Sequence, residues 1–416
     1  MIDLGLGKTV EYGEELKRIC DIAKKLRLLR GESNLSWEEP AEYAVKYSYM
    51  HGRSVKTLTI TLNPTGCEWA KNGGCTMCGE YEGSSKNAMI PDYLHIAQFA
   101  KAIADLVSKY KPTWLRINQE GNYANTRETA PLAQLTILKL AAKIKGIERI
   151  TIESRPKFLT ESLLKSYSEI VLNDGVELEI GMGFEAADDV VRNVCVNKGE
   201  SINDFETALN LMKKFNIHSL AYVLLKPPFL TEKEAIDEAI NSIKKATDIG
   251  FERISLEPMS IHKFTVVDAL SQANNYRVPW FWSVIEVVEK CKDINDIGIG
   301  GVGYFPPSDL QAHNHCKNDV CCNTVVARAI ADYTKNRDVD VFKCLDCTCR
   351  LEWKKECNMV FPPLKERINQ QLDSIDIEAY KDYVETNSVS TANSLLSESI
   401  FLARGSQIQN VVCGGR

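Results

Sequence analysis

The chain has 416 residues, 44% of them hydrophobic, with a formal net charge of −6 and a pI of about 5.7. That is enough apolar material for one barrel-sized core with additions, and the acidic balance excludes a global basic field of the kind that drives nucleic-acid binding. Local basic clusters at 17–30 and at Lys354-Lys355 leave a more limited RNA contact open, although such a helix face is more often simply solvated. The opening Met1-Ile2-Asp3-Leu4-Gly5 offers neither a basic segment nor an apolar h-region, and no long apolar span follows. A cytoplasmic protein without membrane association is therefore expected.

In chain order, a helix is expected from about Gly13 to Arg30. Apolar, β-branched runs then alternate with helical patterns, which argues for βα units and a parallel sheet. The expected strands are Lys56–Leu62, Thr113–Asn118, Glu148–Glu153, Val176–Met182, Ile217–Leu225 and Phe251–Glu257. A helix opening at Pro91-Asp92 places Ile96, Phe99, Ile103 and Leu106 on one face. Another follows the fifth strand, where Thr231 and Glu234 form a capping box ahead of Ile236, Ile240 and Ile243. From about Ser388 the Ser-, Asn-, Gln- and Gly-rich tail predicts weak order. The organisation expected is an N-terminal helical extension (1–53), a barrel (54–305), a cysteine-rich region (306–370) and a helical or flexible tail (371–416).

Fourteen cysteines is heavy usage, and in a reducing compartment they stay free or bind metal. Cys67, Cys75 and Cys78 share one loop after the first strand, among Gly66, Gly73, Gly74 and Gly79. Three thiolates can hold a cubic iron–sulfur cluster and leave one iron open to a small molecule. A zinc knuckle is the bland alternative, but zinc usually takes four ligands, and Glu68, Glu80 and distant His51 are poor fourth partners. Cys20, Cys195, Cys291 and Cys413 are isolated and read as ordinary side chains.

Three cysteines after a first strand, the last two spaced Cys-x-x-Cys, resemble the cluster loop of the radical S-adenosylmethionine (SAM) superfamily, with a longer spacing from Cys67 to Cys75 than is commonest there. A closer resemblance is to the archaeal radical SAM lyases that form archaeosine in tRNA. It is carried by Gly66-Cys67 through Gly74-Cys75-Thr76-Met77-Cys78-Gly79, by Ile152-Glu153-Ser154-Arg155, by Val196-Asn197-Lys198-Gly199 and by Leu224-Leu225-Lys226-Pro227-Pro228-Phe229-Leu230-Thr231-Glu232. Tyr276-Arg277-Val278-Pro279-Trp280-Phe281-Trp282-Ser283 and His313-Asn314-His315-Cys316 extend it over about residues 55–350. The resemblance implies an α/β fold with a partial (β/α)6 barrel, a 4Fe-4S cluster, SAM, an electron donor such as ferredoxin or flavodoxin, and cleavage of SAM to a 5′-deoxyadenosyl radical.

Parallel barrels place their sites where strands end, and the strand ends here are polar. After the second strand, Gln119, Glu120 and Gly121 stand where the resemblance places acceptors for a bound amino group; a plain turn is the alternative. The third strand ends in Glu153 and Arg155, the latter expected on the methionine carboxylate unless the two merely pair. Gly183 and Glu185, after the fourth, leave room for an adenosyl group, and Lys198 follows in the same loop. Lys226 and Glu257 close the fifth and sixth strands as candidate catalytic residues that would bind a zwitterionic amino-acid group or pair with each other.

Further on, Cys316, Cys321, Cys322, Cys344, Cys347 and Cys349, with Cys357 beyond and His313 and His315 nearby, read as a metal site. An auxiliary iron–sulfur cluster is the first expectation, structural zinc the second, and capture of a thiophilic substrate such as trivalent arsenic the third. The archaeosine resemblance implies carbon–nitrogen scission of a lysine adduct on the deazaguanine base of tRNA. The alternatives are a small-molecule radical SAM enzyme, including one transferring a 3-amino-3-carboxypropyl group to sulfur or a metalloid, and a non-catalytic tRNA-binding partner.

Overall fold

The computed structural model of the chain describes residues 9–30, 40, 42–63, 65–79, 89–294, 296–301, 310–316 and 320–391, with the backbone alone at 72, 320, 321 and 387–391. One sheet organises them, in the order β1 (Glu42–Met50), β2 (Arg53–Thr61), β3 (Trp114–Asn118), β4 (Arg149–Glu153), β5 (Glu177–Glu185), β6 (His218–Leu225), β7 (Arg253–Pro258) and β8 (Asp296–Ile299). β1 pairs antiparallel with β2, and every later neighbour is parallel. The helices are α1 (Gly13–Leu28), α2 (Asp92–Tyr110), α3 (Pro131–Ala142), α4 (Glu161–Leu172), α5 (Ile202–Lys214), α6 (Glu232–Asp248), α7 (Val266–Gln272), α8 (Phe281–Cys291), α9 (Val320–Asn336), α10 (Cys349–Cys357), α11 (Leu364–Asp373) and α12 (Ile377–Thr391).

All six expected strands are present as β2 to β7. Two were not expected: β1, within the segment read as a helical extension, and β8, only four residues long. The capping box of Thr231 and Glu234 opens α6 as expected, and a second, Ser201 with Asp204, opens α5. The expectation of a weakly ordered tail falls mostly outside the described residues, although α12 runs to Thr391.

The strands alternate, apart from a register shift at Gly183/Glu185 in β5, and this decides which way they face. Leu58, Ile60, Leu115, Ile117, Ile150, Ile152, Leu178, Ile180, Val223, Leu225, Ile254 and Leu256 turn outward into the helical layer with Phe99, Ile137, Leu164, Phe205 and Ile243. The opposite face carries Arg116, Arg149, Thr151, Glu153, Glu179, Tyr222, Arg253 and Glu257, whose contacts run across the sheet. Arg116 (β3) bonds Tyr222 (β6), Arg253 (β7) lies over the ring of Trp114 (β3) and 2.6 Å from Glu179 (β5), and Arg149 (β4) pairs with Glu177 (β5) at 2.7 Å. Such chords exist only if the sheet curls around its polar face. Helix α9 packs against β1 and β2 on one side and β8 on the other, so it seals the gap between the sheet's two edges, with Lys335 and Arg337 over Tyr47 and Tyr49 and Tyr333 bonded to the Ile297 carbonyl.

A second core lies at the loop following β2. There Ile19, Ala23 and Leu26 of α1 meet Val194, Cys195, Phe229, Ile368, Leu372 and Tyr380, with Cys75 and Met77 packed against them. The N-terminal helix thus packs beside the cysteine loop, and Arg18 and Glu15 tie it to Asn369 of α11 at 2.8 Å each.

Candidate active site and thiolate centre

The three-cysteine loop follows the end of β2 at Thr61 and is held from three directions. Gly66, Gly73 and Gly74 have φ of 105°, 103° and 66°, which only glycine adopts freely, so the loop can turn within a few residues. Arg27 of α1 donates from Nε to the Gly73 carbonyl (2.7 Å) and from Nη2 to the carbonyls of Cys75 and Cys78 (3.1 Å each). Thr76 bonds the carbonyls of Cys195 and Val196, Asn197 donates to Gly74, and Trp69 donates to Asn197. On the other side Asn122 Nδ2 lies 3.6 Å from Cys67 Sγ.

The thiols are free and half-buried. Burial pushes Cys75 up to about 11 against the opposing pull of Lys198 and Arg155, and burial followed by the Glu128 carboxylate raises Cys67. The cations that oppose these shifts are those a thiolate cluster would draw on. Cys67, Cys75 and Cys78 do not all lie within 4.8 Å of one another.

Around the loop stand the strand-end residues. Gln119 is buried and its Oε1 accepts no hydrogen bond, as is true of Asn118 Oδ1. Two orphaned acceptors beside the cysteine loop fit an ammonium donor such as that of SAM. Next to them Glu128 is 2% exposed and accepts from the Glu68 amide, Asn125 and both nitrogens of Asn122. A Cβ at Gly121 would run into Glu128, so the glycine leaves space for that carboxylate.

Glu153 and Arg155 do not pair with each other. Glu153 accepts from Tyr222 (2.5 Å) and Arg116 (3.2 Å) on the inner face. Arg155 instead donates from Nε to Glu200 at 2.7 Å and from Nη2 to the Lys198 carbonyl, and lies over the Trp69 ring. Despite burial, Glu200 and the nearby thiols raise the Arg155 pKa. One edge of its fork is therefore occupied by the protein itself. Lys198 pairs with Glu185 at 2.8 Å, both nearly buried, in space left by Gly183.

Lys226 and Glu257 do not pair either. Lys226 reaches Glu232 at the start of α6 (2.6 Å) and approaches Glu356 of α10 (3.9 Å), whereas Glu257 accepts from Ser255 at 2.6 Å. The reason is in the backbone: Lys226 has φ of 66°, which turns its side chain off the strand's alternation. Glu120 (52°), Glu185 (63°) and Asn197 (56°) are left-handed too. Such conformations are costly for non-glycine residues and concentrate at functional sites.

The inner face completes the site with Arg116, Glu153, Tyr222, Ser255, Glu257 and Lys46. Lys46 is exposed to solvent and stands opposite Thr57 of β2 on the face that lines the lumen, where it feels Arg116, Glu257 and Glu153. Burial raises Glu257. Arg27, Arg116, Glu128, Glu200 and Tyr222 were not anticipated from the sequence. A charged residue at an inward position of a mostly apolar strand was the available signal for Arg116; nothing local marks the others.

The C-terminal cysteines resolve into a subset. Cys316, Cys322, Cys347 and Cys349 bring their sulfurs within 4.8 Å of one another, the only such group among the described residues. Cys344 is exposed outside it, Cys357 stands apart near Glu232 and Glu356, and the Cys321 side chain lies outside the described residues. His313 and His315 are also outside the group, each with one ring nitrogen at a backbone carbonyl, Gln311 and Val278.

No family model matches the chain. A protein of Methanocaldococcus jannaschii is 33% identical over 308 residues, 72% of this chain and 81% of that one. Archaeosine synthase subunit beta of Methanosarcina acetivorans is 30% identical over 341 residues, 82% of this chain and 94% of that one. Among solved structures, the radical SAM methyltransferase TsrM of Kitasatospora setae aligns with a TM-score of 0.36 at 10% identity, over 53% of this chain and 37% of that one. No helix among the described residues is long and apolar enough to cross a membrane. With its sequence matched at 30% identity along nearly the whole of an archaeosine synthase beta subunit, the chain belongs to the archaeosine synthase subunit beta family.

Proposed function

We propose that Cys67, Cys75 and Cys78 hold a 4Fe-4S cluster and that SAM binds across the ends of β3, β4 and β5, with its amino group at Asn118 and Gln119. When bound, this pair supplies a carbon radical that takes hydrogen from the substrate. Everything else is the work of the chain. Glu128 rigidifies the segment that presents Gln119; Arg155, anchored on Glu200, and Lys198, anchored on Glu185, set a positive potential beside the thiolates and near the SAM carboxylate; Gly183 keeps the adenosyl path open.

The substrate reading follows from the lumen. A lysine adduct on a tRNA base would offer an ammonium and a carboxylate, and the inner face offers matching groups: Glu153 and Glu257 for the first, Arg116 and Lys46 for the second. The reaction proposed is carbon–nitrogen scission of that adduct: the carbon bonded to the adduct nitrogen would lose a hydrogen atom to the radical and one further electron and proton, the electron returning to the iron–sulfur group, and water would then add to that carbon and supply the oxygen of the amino-acid semialdehyde as the amidine base leaves. The observation that carries this reading is the row of inward charges next to the three-cysteine loop, because a lumen meant only for packing would be apolar.

The test is anaerobic turnover with dithionite, SAM and tRNA carrying the lysine-modified deazaguanine. 5′-Deoxyadenosine together with the amidine base supports the proposal. Methylthioadenosine without base conversion supports 3-amino-3-carboxypropyl transfer instead, and 5′-deoxyadenosine formed only with a free small molecule supports the biosynthetic alternative.

A further inference from the structure

We propose that Cys316, Cys322, Cys347 and Cys349 form a mononuclear tetrathiolate zinc site that fixes the C-terminal helices against the barrel. Its geometry distinguishes it from the auxiliary cluster expected from cysteine density. Cys316 Sγ lies 3.8 Å from Cys347 Sγ, and Cys322 Sγ 3.7 Å from Cys349 Sγ. Four sulfurs placed tetrahedrally at about 2.3 Å from one zinc are separated by about 3.8 Å along each edge. A cubane would attach each thiolate to its own iron and hold the sulfurs wider. The same distances are too long for a disulfide, whose sulfurs sit at about 2.05 Å.

The surroundings are those of a ligand set. Asn314 Nδ2 donates to Cys322 Sγ at 3.4 Å, and Trp282 Nε1 to Cys349 Sγ at 3.3 Å. Asn314 is itself fixed, its amide bonded to Asn323 Oδ1 and its Oδ1 accepting from the Trp282 amide. Donors aimed at sulfur stabilise thiolate over thiol and orient the ligands. Binding of the dication expels the thiol protons to solvent and needs no oxidant or reductant.

The ligands come from three segments: a loop, the first turn of α9, and the start of α10. Helix α9 seals the sheet edges. Helix α10 sends Trp353 Nε1 to Ser283 Oγ at 2.8 Å and presents Glu356 to Trp280, Arg277 and Lys226. The ion would therefore couple barrel closure to the position of the cover over the end of β6.

The test is metal analysis of the full chain purified with and without iron–sulfur reconstitution, with cobalt substitution. About one zinc per chain, independent of reconstitution, and thiolate–cobalt bands of a tetrahedral site support the proposal. Cys322→Ser and Cys349→Ser should lose the zinc while keeping the iron of the Cys67 loop; Cys344→Ser and Cys357→Ser should keep both. Should the serine variants fail to fold, the cobalt spectrum of the wild-type chain still decides. Iron in place of zinc, as a single ion or a second cluster, would overturn it, as would a wild-type chain that binds neither zinc nor cobalt here.

Discussion

Lys198 Nζ stands 2.8 Å from Glu185 Oε1 in a space that exists because residue 183 has no side chain. Both partners are nearly buried, and Lys198 lies close enough to Cys75 to oppose the rise in its pKa. A cation so placed serves the carboxylate and would also serve Cys75 as the thiolate that a bound cluster requires. The Val196-Asn197-Lys198-Gly199 motif is thus tied to the three-cysteine loop through its charge as well as through the bonds of Asn197.

Gly183→Ala would drive a methyl group into that pair. Overpacking of this kind costs about 1–3 kcal/mol, and here the displaced atoms are the charged ends themselves. The expected result is a lower Tm and SAM binding weakened about tenfold for each 1.4 kcal/mol transferred to the bound state. Equilibrium binding of SAM and a thermal melt check it; unchanged values in both would show that the pair can move aside freely.

Replacing Cys67, Cys75 and Cys78 together by alanine should remove the loop's iron and abolish 5′-deoxyadenosine formation, leaving the zinc of the C-terminal site in place. Iron counts and product analysis on the reconstituted triple variant are the measurement. Turnover that survives the change would overturn the assignment of the loop.

Arg27 was absent from the sequence reading, and it donates to three carbonyls of the cluster loop. Arg27→Ala should leave the barrel folded while the cluster becomes more labile to oxygen, and Arg27→Lys, with one charged donor group in place of a planar fork, should restore it only in part. The decay of cluster absorbance in air is the readout. A cluster as durable as in the wild type would show that the glycines and Thr76 suffice to hold the loop.

What was legible follows physical rules. The parallel strands were readable because their outward faces are continuous rows of branched apolar residues, as in Ile150 and Ile152 or Ile254 and Leu256. β1 carries a strand signal in the alternation of Tyr43, Val45, Tyr47 and Tyr49, but that row is largely exposed and mostly tyrosine, each with a polar hydroxyl, so the segment reads as part of a helical extension. β8 is too short to show a period. The strand-end residues were found by position, but not their partners: Arg155 meets Glu200, 45 residues away, and Lys226 is re-aimed by one backbone angle. Cysteine density announced a metal site, yet only three-dimensional convergence selects Cys316, Cys322, Cys347 and Cys349 over Cys344 and Cys357.

The Arg155–Glu200 pair tests whether Arg155 acts first on the protein or on SAM. Its side chains are 7% and 2% exposed, so Arg155→Ala leaves Glu200 as an uncompensated buried carboxylate, a loss of about 3–5 kcal/mol. Arg155→Ala with Glu200→Gln removes that penalty. Recovery of stability without recovery of SAM affinity in the double variant is expected if the guanidinium also serves the methionine carboxylate. Recovery of both would make Arg155 a positioning residue alone.

Glu257 supplies the pH test. Burial raises its carboxyl above the ordinary glutamate range near 4.3, so between that value and the raised one the unfolded chain has released a proton that the folded chain still holds. Unfolding is then favoured as pH rises: the contribution of Glu257 to stability is fully present below the ordinary value and is lost as pH climbs through the raised one. Glu257→Gln carries no such proton. The stability of the wild type relative to this variant should accordingly fall across that window and level off above it, measured by denaturant unfolding at a series of pH values. The variant should also lose affinity for a substrate that presents an ammonium, with SAM binding unchanged. A stability difference independent of pH would mean that Ser255, Lys46 and Arg116 offset the effect of burial, so that Glu257 titrates alike in the folded and unfolded chain.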